Sequence, residues 1–181
     1  MAVRKVMRMG HPVLRQVARP VTVDELRSPT MRQFILDMTD TLHDYGGIGL
    51  AAPQVGESIR VLLVEIPAGG SRYGELQAMP LEAYANPEIT VLDPTPAGFW
   101  EGCLSVPGLR GFVERPQHLL VRYLDLAAKP QEIELKGFQA TVFQHEFDHL
   151  NGMLYLDRIT DRARLSFDEE YVRYHTGAAI D

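Results

Sequence analysis

Cysteine is almost absent: Cys103 is the single one among 181 residues. It cannot close an intrachain disulfide, which argues for a reducing compartment and leaves that one thiol to be explained. Positive charge is not in excess either, since 18 Lys and Arg stand against 24 Asp and Glu for a net charge of −6. No global field therefore draws the chain to nucleic acid or anionic lipid, and no DNA partner is expected. No apolar run approaches the ~20 residues of a membrane-spanning helix. The first 19 residues interleave Arg4, Lys5, Arg8 and Arg15 with apolar side chains and never build the apolar block of a signal peptide. These absences predict a cytoplasmic protein with no membrane partner. Internal repeats and low-complexity tracts are also missing, and the length suits one ordinary domain, so residues 1–181 read as a single unit. What is present suffices for a core, because hydrophobic residues make up 45% of the chain and charged ones 23%.

Periodicity supplies the elements. Ser28 as N-cap, Pro29 at the first helical position, and Met31, Phe34, Ile35, Met38, Leu42 and Tyr45 at three- and four-residue spacings predict an amphipathic helix that stops at Gly46 and Gly47. Residues 59–66 form an apolar, β-branched run that suits a buried strand. Gly69, Gly70 and Gly74 mark a loop. Further strands are predicted at residues 89–92, 99–106, 119–126 and 132–135, with Pro94 and Pro96 separating the first from the second. A second helix is predicted over Phe138–Leu150, opened by Gly137 and closed by Asn151 and Gly152. Leu165, Tyr171 and Val172 suggest a third over residues 162–174. Short strands clustered with few helices predict an α+β fold rather than a doubly wound sheet.

The second predicted helix carries the sharpest signal, His145, Glu146, Phe147, Asp148, His149. Residues four apart share a helical face, so two imidazoles can meet one metal ion. Glu146 is offset by about 100° and can reach a water on that metal without being a ligand. A merely solvated helix face is the bland alternative. A catalytic site usually has three protein ligands and an open fourth position, and Cys103 is the candidate third, although a lone cysteine is also commonly an inert core thiol. One Cys and two His on a divalent ion leave a net charge of about +1, which lowers the pKa of a bound water towards ~7. A third segment, Gly47, Ile48, Gly49, Leu50, Ala51, Ala52, Pro53, Gln54, follows the first helix. Its small residues let a peptide approach the backbone, and the Gln54 amide suits a developing oxyanion; a glycine-rich turn with a solvated Gln reads equally well. The phosphate-loop pattern is missing, so a nucleotide site is not expected. Asp148 is either an exposed helix carboxylate or a group that Arg115 or Arg110 ties behind the histidines.

Taken together, the stretch ending in Gln54, then Glu101, Gly102, Cys103, Leu104, Ser105, then Gln144 to His149 resemble, in that order, the motifs of the peptide deformylase family. His11, Pro12, Leu14 and Arg15 resemble the family's opening. The resemblance implies sheets packed around a central metal-binding helix in one catalytic domain, to which the pattern over residues 162–174 adds a C-terminal helix. It implies hydrolysis of the formyl group from N-formylmethionine on newly made polypeptides, releasing formate. Cys103, His145 and His149 would hold the metal, iron(II) by resemblance, with zinc, nickel or cobalt able to substitute. Glu146 would be the general acid and base, Gln54 and the Leu104 N–H the oxyanion donors, and Gly49 the strand-like partner of the substrate backbone. Ile48, Phe99, Phe138 and Val142 are candidates for the methionine pocket, with plain core packing as the alternative. The family's better-known bacterial members are said to dock on the ribosome through a basic C-terminal helix. Here Arg162, Arg164 and Arg173 face Asp161, Asp168, Glu169, Glu170 and Asp181, a balance that does not support such docking. Competing readings are a zinc endopeptidase, which shares the His-Glu-x-x-His helix, and a closed structural site in which His11, His43, His118 or His175 adds a fourth ligand.

Overall fold

The computed structural model describes residues 2–71, 74–76 and 78–176 of the chain. Two capped helices come first. The Thr22 hydroxyl accepts from Glu25 N at 3.2 Å while the Glu25 carboxylate accepts from Thr22 N at 2.8 Å, opening α1 (Val23–Arg27) with a capping box. Ser28 then accepts from Met31 N at 3.1 Å to start α2 (Pro29–Asp44). Pro29 sits in the first turn, where its missing N–H costs nothing. The helix ends as predicted, with Gly46 at φ +64° turning the chain away. Tyr45, counted by spacing with the apolar face, lies just past the helix and is exposed.

Then follow β1 (Gly49–Ala51), β2 (Val61–Ile66), β3 (Gly69–Ser71), β4 (Gly74–Leu76), β5 (Met79–Cys103), β6 (Val106–Leu124), β7 (Pro130–Lys136), α3 (Phe138–Leu150), β8 (Leu165–Phe167) and α4 (Asp168–His175). Strands β1, β2, β5, β6 and β7 form one antiparallel sheet in that order, and β8 adds to β6 beyond them. Alternation along β2 shows how the sheet divides the core. Val61 and Leu63 pack with Met38, Leu42 and Leu50 under α2, whereas Leu62, Val64 and Ile66 pack with Ala140, Phe143 and Leu150 of α3. The sheet therefore separates α2 on one face from α3 on the other, and the whole is an α+β fold.

Three local expectations are corrected. Pro94 and Pro96 do not end a strand: β5 runs through them as 25 continuous residues. Its pairing with β6 shifts register between Val91 and Asp93 and again between Asp93 and Pro96. At such irregularities ladder bonds are already lost, so a residue without an N–H is tolerated. Gly69, Gly70 and Gly74 do not form an open loop but lie in a small hairpin, Gly69 opposite Leu76 and Gly70 opposite Glu75. The helix predicted over residues 162–174 is only its second half. Arg162–Arg164 is a 3-10 turn, and β8 pairs Leu165 and Phe167 with Gly111 and Leu109 before α4 begins. Long-range pairing overrides the weak helical pattern there.

Candidate metal centre

Strand, turn and helix meet where β5 ends. Cys103 is the last residue of β5, and Leu104 and Ser105 form the two-residue turn that returns the chain at Val106. Across from it, His145 and His149 project from one face of α3, both buried. The ligand atoms of Cys103, His145 and His149 all lie within 4.8 Å of one another, with Cys103 Sγ 3.3 Å from His149 Nε2. His145 Nδ1 is held by Glu101 Oε2 at 2.7 Å, which fixes the ring and turns Nε2 to the cluster. A thiolate and two imidazoles fit a borderline divalent metal. One of the two imidazoles is prepared electrostatically. Burial and the charge of His145 hold His149 well below its ordinary value, leaving the neutral, ligating imidazole. Burial lowers His145 too, but Cys103 and Glu101 outweigh it and raise His145 well above its ordinary value.

Glu146 lies beside this cluster. Burial pushes its carboxyl up to about 7, with Glu101 adding to the rise and His145 and Arg115 opposing it. Its Oε2 is buried without a hydrogen-bond partner among the described residues, so the fold does not tie down that oxygen. Gly49 explains the closeness of β1: a Cβ there would sit 2.4 Å from Glu146 Oε1, and only glycine lets the strand lie against the carboxylate. Gln54 is not a solvated turn residue but is 1% exposed. Its Oε1 accepts from Ala51 N at 2.8 Å, and its Nε2 lies 3.4 Å from Cys103 Sγ and 3.3 Å from Ser105 Oγ. Ile48, Phe99, Phe138 and Val142 line one small cavity of about 60 Å³ together with His145 and Glu146. A larger cleft of about 780 Å³ opens over Gly49, Gln54, Leu104 and Glu146.

Behind the cluster runs a buried chain of charge. Arg115 donates to Glu101 at 2.6 and 3.0 Å and to Asp148 at 2.8 Å. Asp148 also accepts from Arg158 at 2.7 Å. The alternatives for Asp148 are thus decided: it is buried, Arg115 holds it, and Arg110 pairs instead with Asp168 at 2.6 Å. Burial alone would raise Glu101, yet the hydrogen bonds from His145 and Arg115 hold it below the usual carboxylate range. Sequence reasoning missed Glu101 as the partner of His145, and Arg158 altogether. Neither carries a local signal beyond Glu101 opening the Cys103 segment. The remaining histidines are elsewhere: His11 caps a turn, His43 and His118 pair with Glu65 and Glu134, and His175 packs on Trp100. Among the described residues, no fourth side chain completes a closed site.

The sequence profile of the polypeptide deformylase family matches residues 3–165. A peptide deformylase of Leptospira biflexa serovar Patoc is 40% identical over 170 residues, covering 94% of this chain and 95% of its own. The chain belongs to the peptide deformylase family. A Brucella suis peptide deformylase is 42% identical over 164 residues, covering 91% of this chain and 89% of its own. The Met-Ala-Ser bound crystal structure of a class I type b peptide deformylase from Acinetobacter baumannii superposes with a TM-score of 0.83 at 39% identity, covering 87% of this chain and 99% of that one. Peptide deformylases are hydrolases that remove the N-formyl group from nascent peptides, so the family match favours deformylation over the endopeptidase reading of the same helix. The family depends on a metal, and the Cys103, His145 and His149 cluster is where this chain could hold one.

Proposed function

We propose that residues 1–181 form one catalytic domain in which Cys103, His145 and His149 hold a single divalent ion and Glu146 handles the protons of formyl hydrolysis. The observation that carries this reading is the Cys103, His145, His149 triangle with the unpartnered Glu146 Oε2 beside it. The ion, iron(II) in this reading with zinc, nickel or cobalt able to substitute, supplies Lewis-acid activation of water and of the formyl oxygen. Glu146 takes the proton of the attacking water and later delivers it to the amine nitrogen as the C–N bond breaks. Gln54 Nε2 and the backbone N–H of Leu104 stabilise charge on the formyl oxygen. Gly49, on the edge strand β1, meets the substrate backbone as an added strand would, and Ile48, Phe99, Phe138 and Val142 receive the methionine side chain. The Acinetobacter relative has been solved with Met-Ala-Ser bound, which supports a methionine-led peptide as the ligand.

The protein works in the cytoplasm in this reading, and ribosome association is weak and salt-sensitive. Arg173 pairs with Glu170 at 3.6 Å, and five acidic residues of the tail outnumber Arg162, Arg164 and Arg173, so the tail offers phosphates no net positive charge. The deciding assay uses protein purified without oxygen, of measured metal content, on a formyl-Met peptide and its unformylated twin. Formate should appear only from the first. Cleavage of an internal bond in the twin, with formyl-Met left intact, would overturn the reading.

A further inference from the structure

We infer that the mouth of the cleft, through Lys5 and Arg8, selects formylated peptides with acidic residues just after formyl-Met; this rests on the deformylase reading of the site. The local charge opposes that of the whole molecule. The chain carries −6 overall, yet the Lys, Arg, Asp and Glu side chains lining the cleft are Lys5, Arg8 and Arg110 against Glu146 and Asp168. Asp168 is engaged by Arg110 at 2.6 Å, and Glu146 lies buried at the bottom. Lys5 and Arg8 are exposed, and neither has an ion-pair partner among the described residues. Their neighbour Arg4 shows the contrast, since Asp37 and Glu57 take it up at 3.3 and 3.7 Å.

The backbone that bears these two cations is fixed over the cleft. Met7 N donates to Gln54 O and Met9 N to Ser105 O, each at 2.7 Å. The N-terminal segment thus bridges the two stretches that flank the candidate metal site, with Val6 buried beneath it. A cleft of about 780 Å³ is far larger than the cavity beside Phe99 and Phe138 and has room for the residues that follow the methionine. A peptide leaving that cavity passes two cations that have no ion-pair partner among the described residues, on a protein whose net charge is −6. Cleft walls concentrate such a field, and exposed charge pairs of this kind change rates by about two- to fivefold each.

The test compares kcat/KM for formyl-Met-Asp-Asp-Ser, formyl-Met-Asn-Asn-Ser and formyl-Met-Lys-Lys-Ser amides, at low salt and at about 0.5 M salt, where screening reaches within a few ångströms. Wild-type protein should prefer the Asp peptide over the Asn peptide by about five- to tenfold at low salt, with the Lys peptide slowest. High salt should collapse the order, and the double variant Lys5→Gln, Arg8→Gln should remove it at low salt. Equal kcat/KM for the Asp and Asn peptides, or a preference that survives the double substitution, overturns the inference while formate release keeps the deformylase reading. Absence of formate from all three peptides overturns both.

Discussion

Under α2, Met38, Leu42, Leu50 and Leu63 are buried to within 1% of full coverage and belong to one apolar cluster. Where α3 meets the end of β5, Glu101, Arg115, Asp148 and His145 are nearly as deeply buried, but each is held by a named partner at 3.0 Å or less. The first region is volume that any well-shaped set of hydrocarbons could fill. In the second, every group answers for the ionisation or aim of another, and a change at one should be felt at the candidate metal site. Four substitutions break or sharpen this contrast.

Cys103→Ala should have the largest effect, loss of both bound metal and activity, because two imidazoles alone hold a divalent ion poorly at neutral pH. Metal analysis beside the formate assay checks it, and stoichiometric metal in active variant protein would end the three-ligand proposal. Glu146→Gln keeps shape and removes the carboxylate, so kcat should fall by about 1,000- to 10,000-fold with KM little changed and metal content near wild type. Metal loss in this variant would make Glu146 a ligand.

Arg115→Leu removes the cation shared by Glu101 and Asp148. It should destabilise the protein by about 3–5 kcal/mol, as breaking a buried ion pair does, and weaken metal affinity by about 10- to 100-fold. Because Glu101 is held below the ordinary carboxylate range when folded, its stabilisation is present above that range and is lost as pH falls through the lowered value. Urea unfolding of Arg115→Leu should accordingly show a shallower loss of stability in acid than wild type. Leu42→Ala sharpens the contrast from the other side. It should lose about 2–5 kcal/mol by leaving a cavity, yet metal affinity and the kcat of the folded protein should stay as in wild type. A metal defect in Leu42→Ala would show that the two regions are not separable.

Legibility in the sequence followed the same division. The α2 boundaries were readable because Ser28, Pro29 and Gly46 act within a few residues of themselves, and the pairing of His145 with His149 followed from helical spacing alone. The passage of β5 through Pro94 and Pro96 was not readable, since what tolerates those prolines is β6, some twenty residues further on. The tail was misread for the same reason: Leu165 and Phe167 became a strand only because Leu109 and Gly111 offered an edge. Gln54 could be singled out by type, but whether it was solvated or packed between Ala51 and Cys103 depended on where β5 ended.

The sequence by itself determined the chemistry of the protein. It set one thiol, a His-Glu-x-x-His helix and a glycine-rich stretch in family order, because residue type and helical period are local properties. Only the tertiary structure decided how closely His145 and His149 approach Cys103, that Glu101 rather than solvent holds His145, and that Gly49 presses against Glu146. Those relations join β1, β5, β6 and α3 across up to about a hundred residues of chain, and a buried charge is stable only beside the partner that folding brings to it.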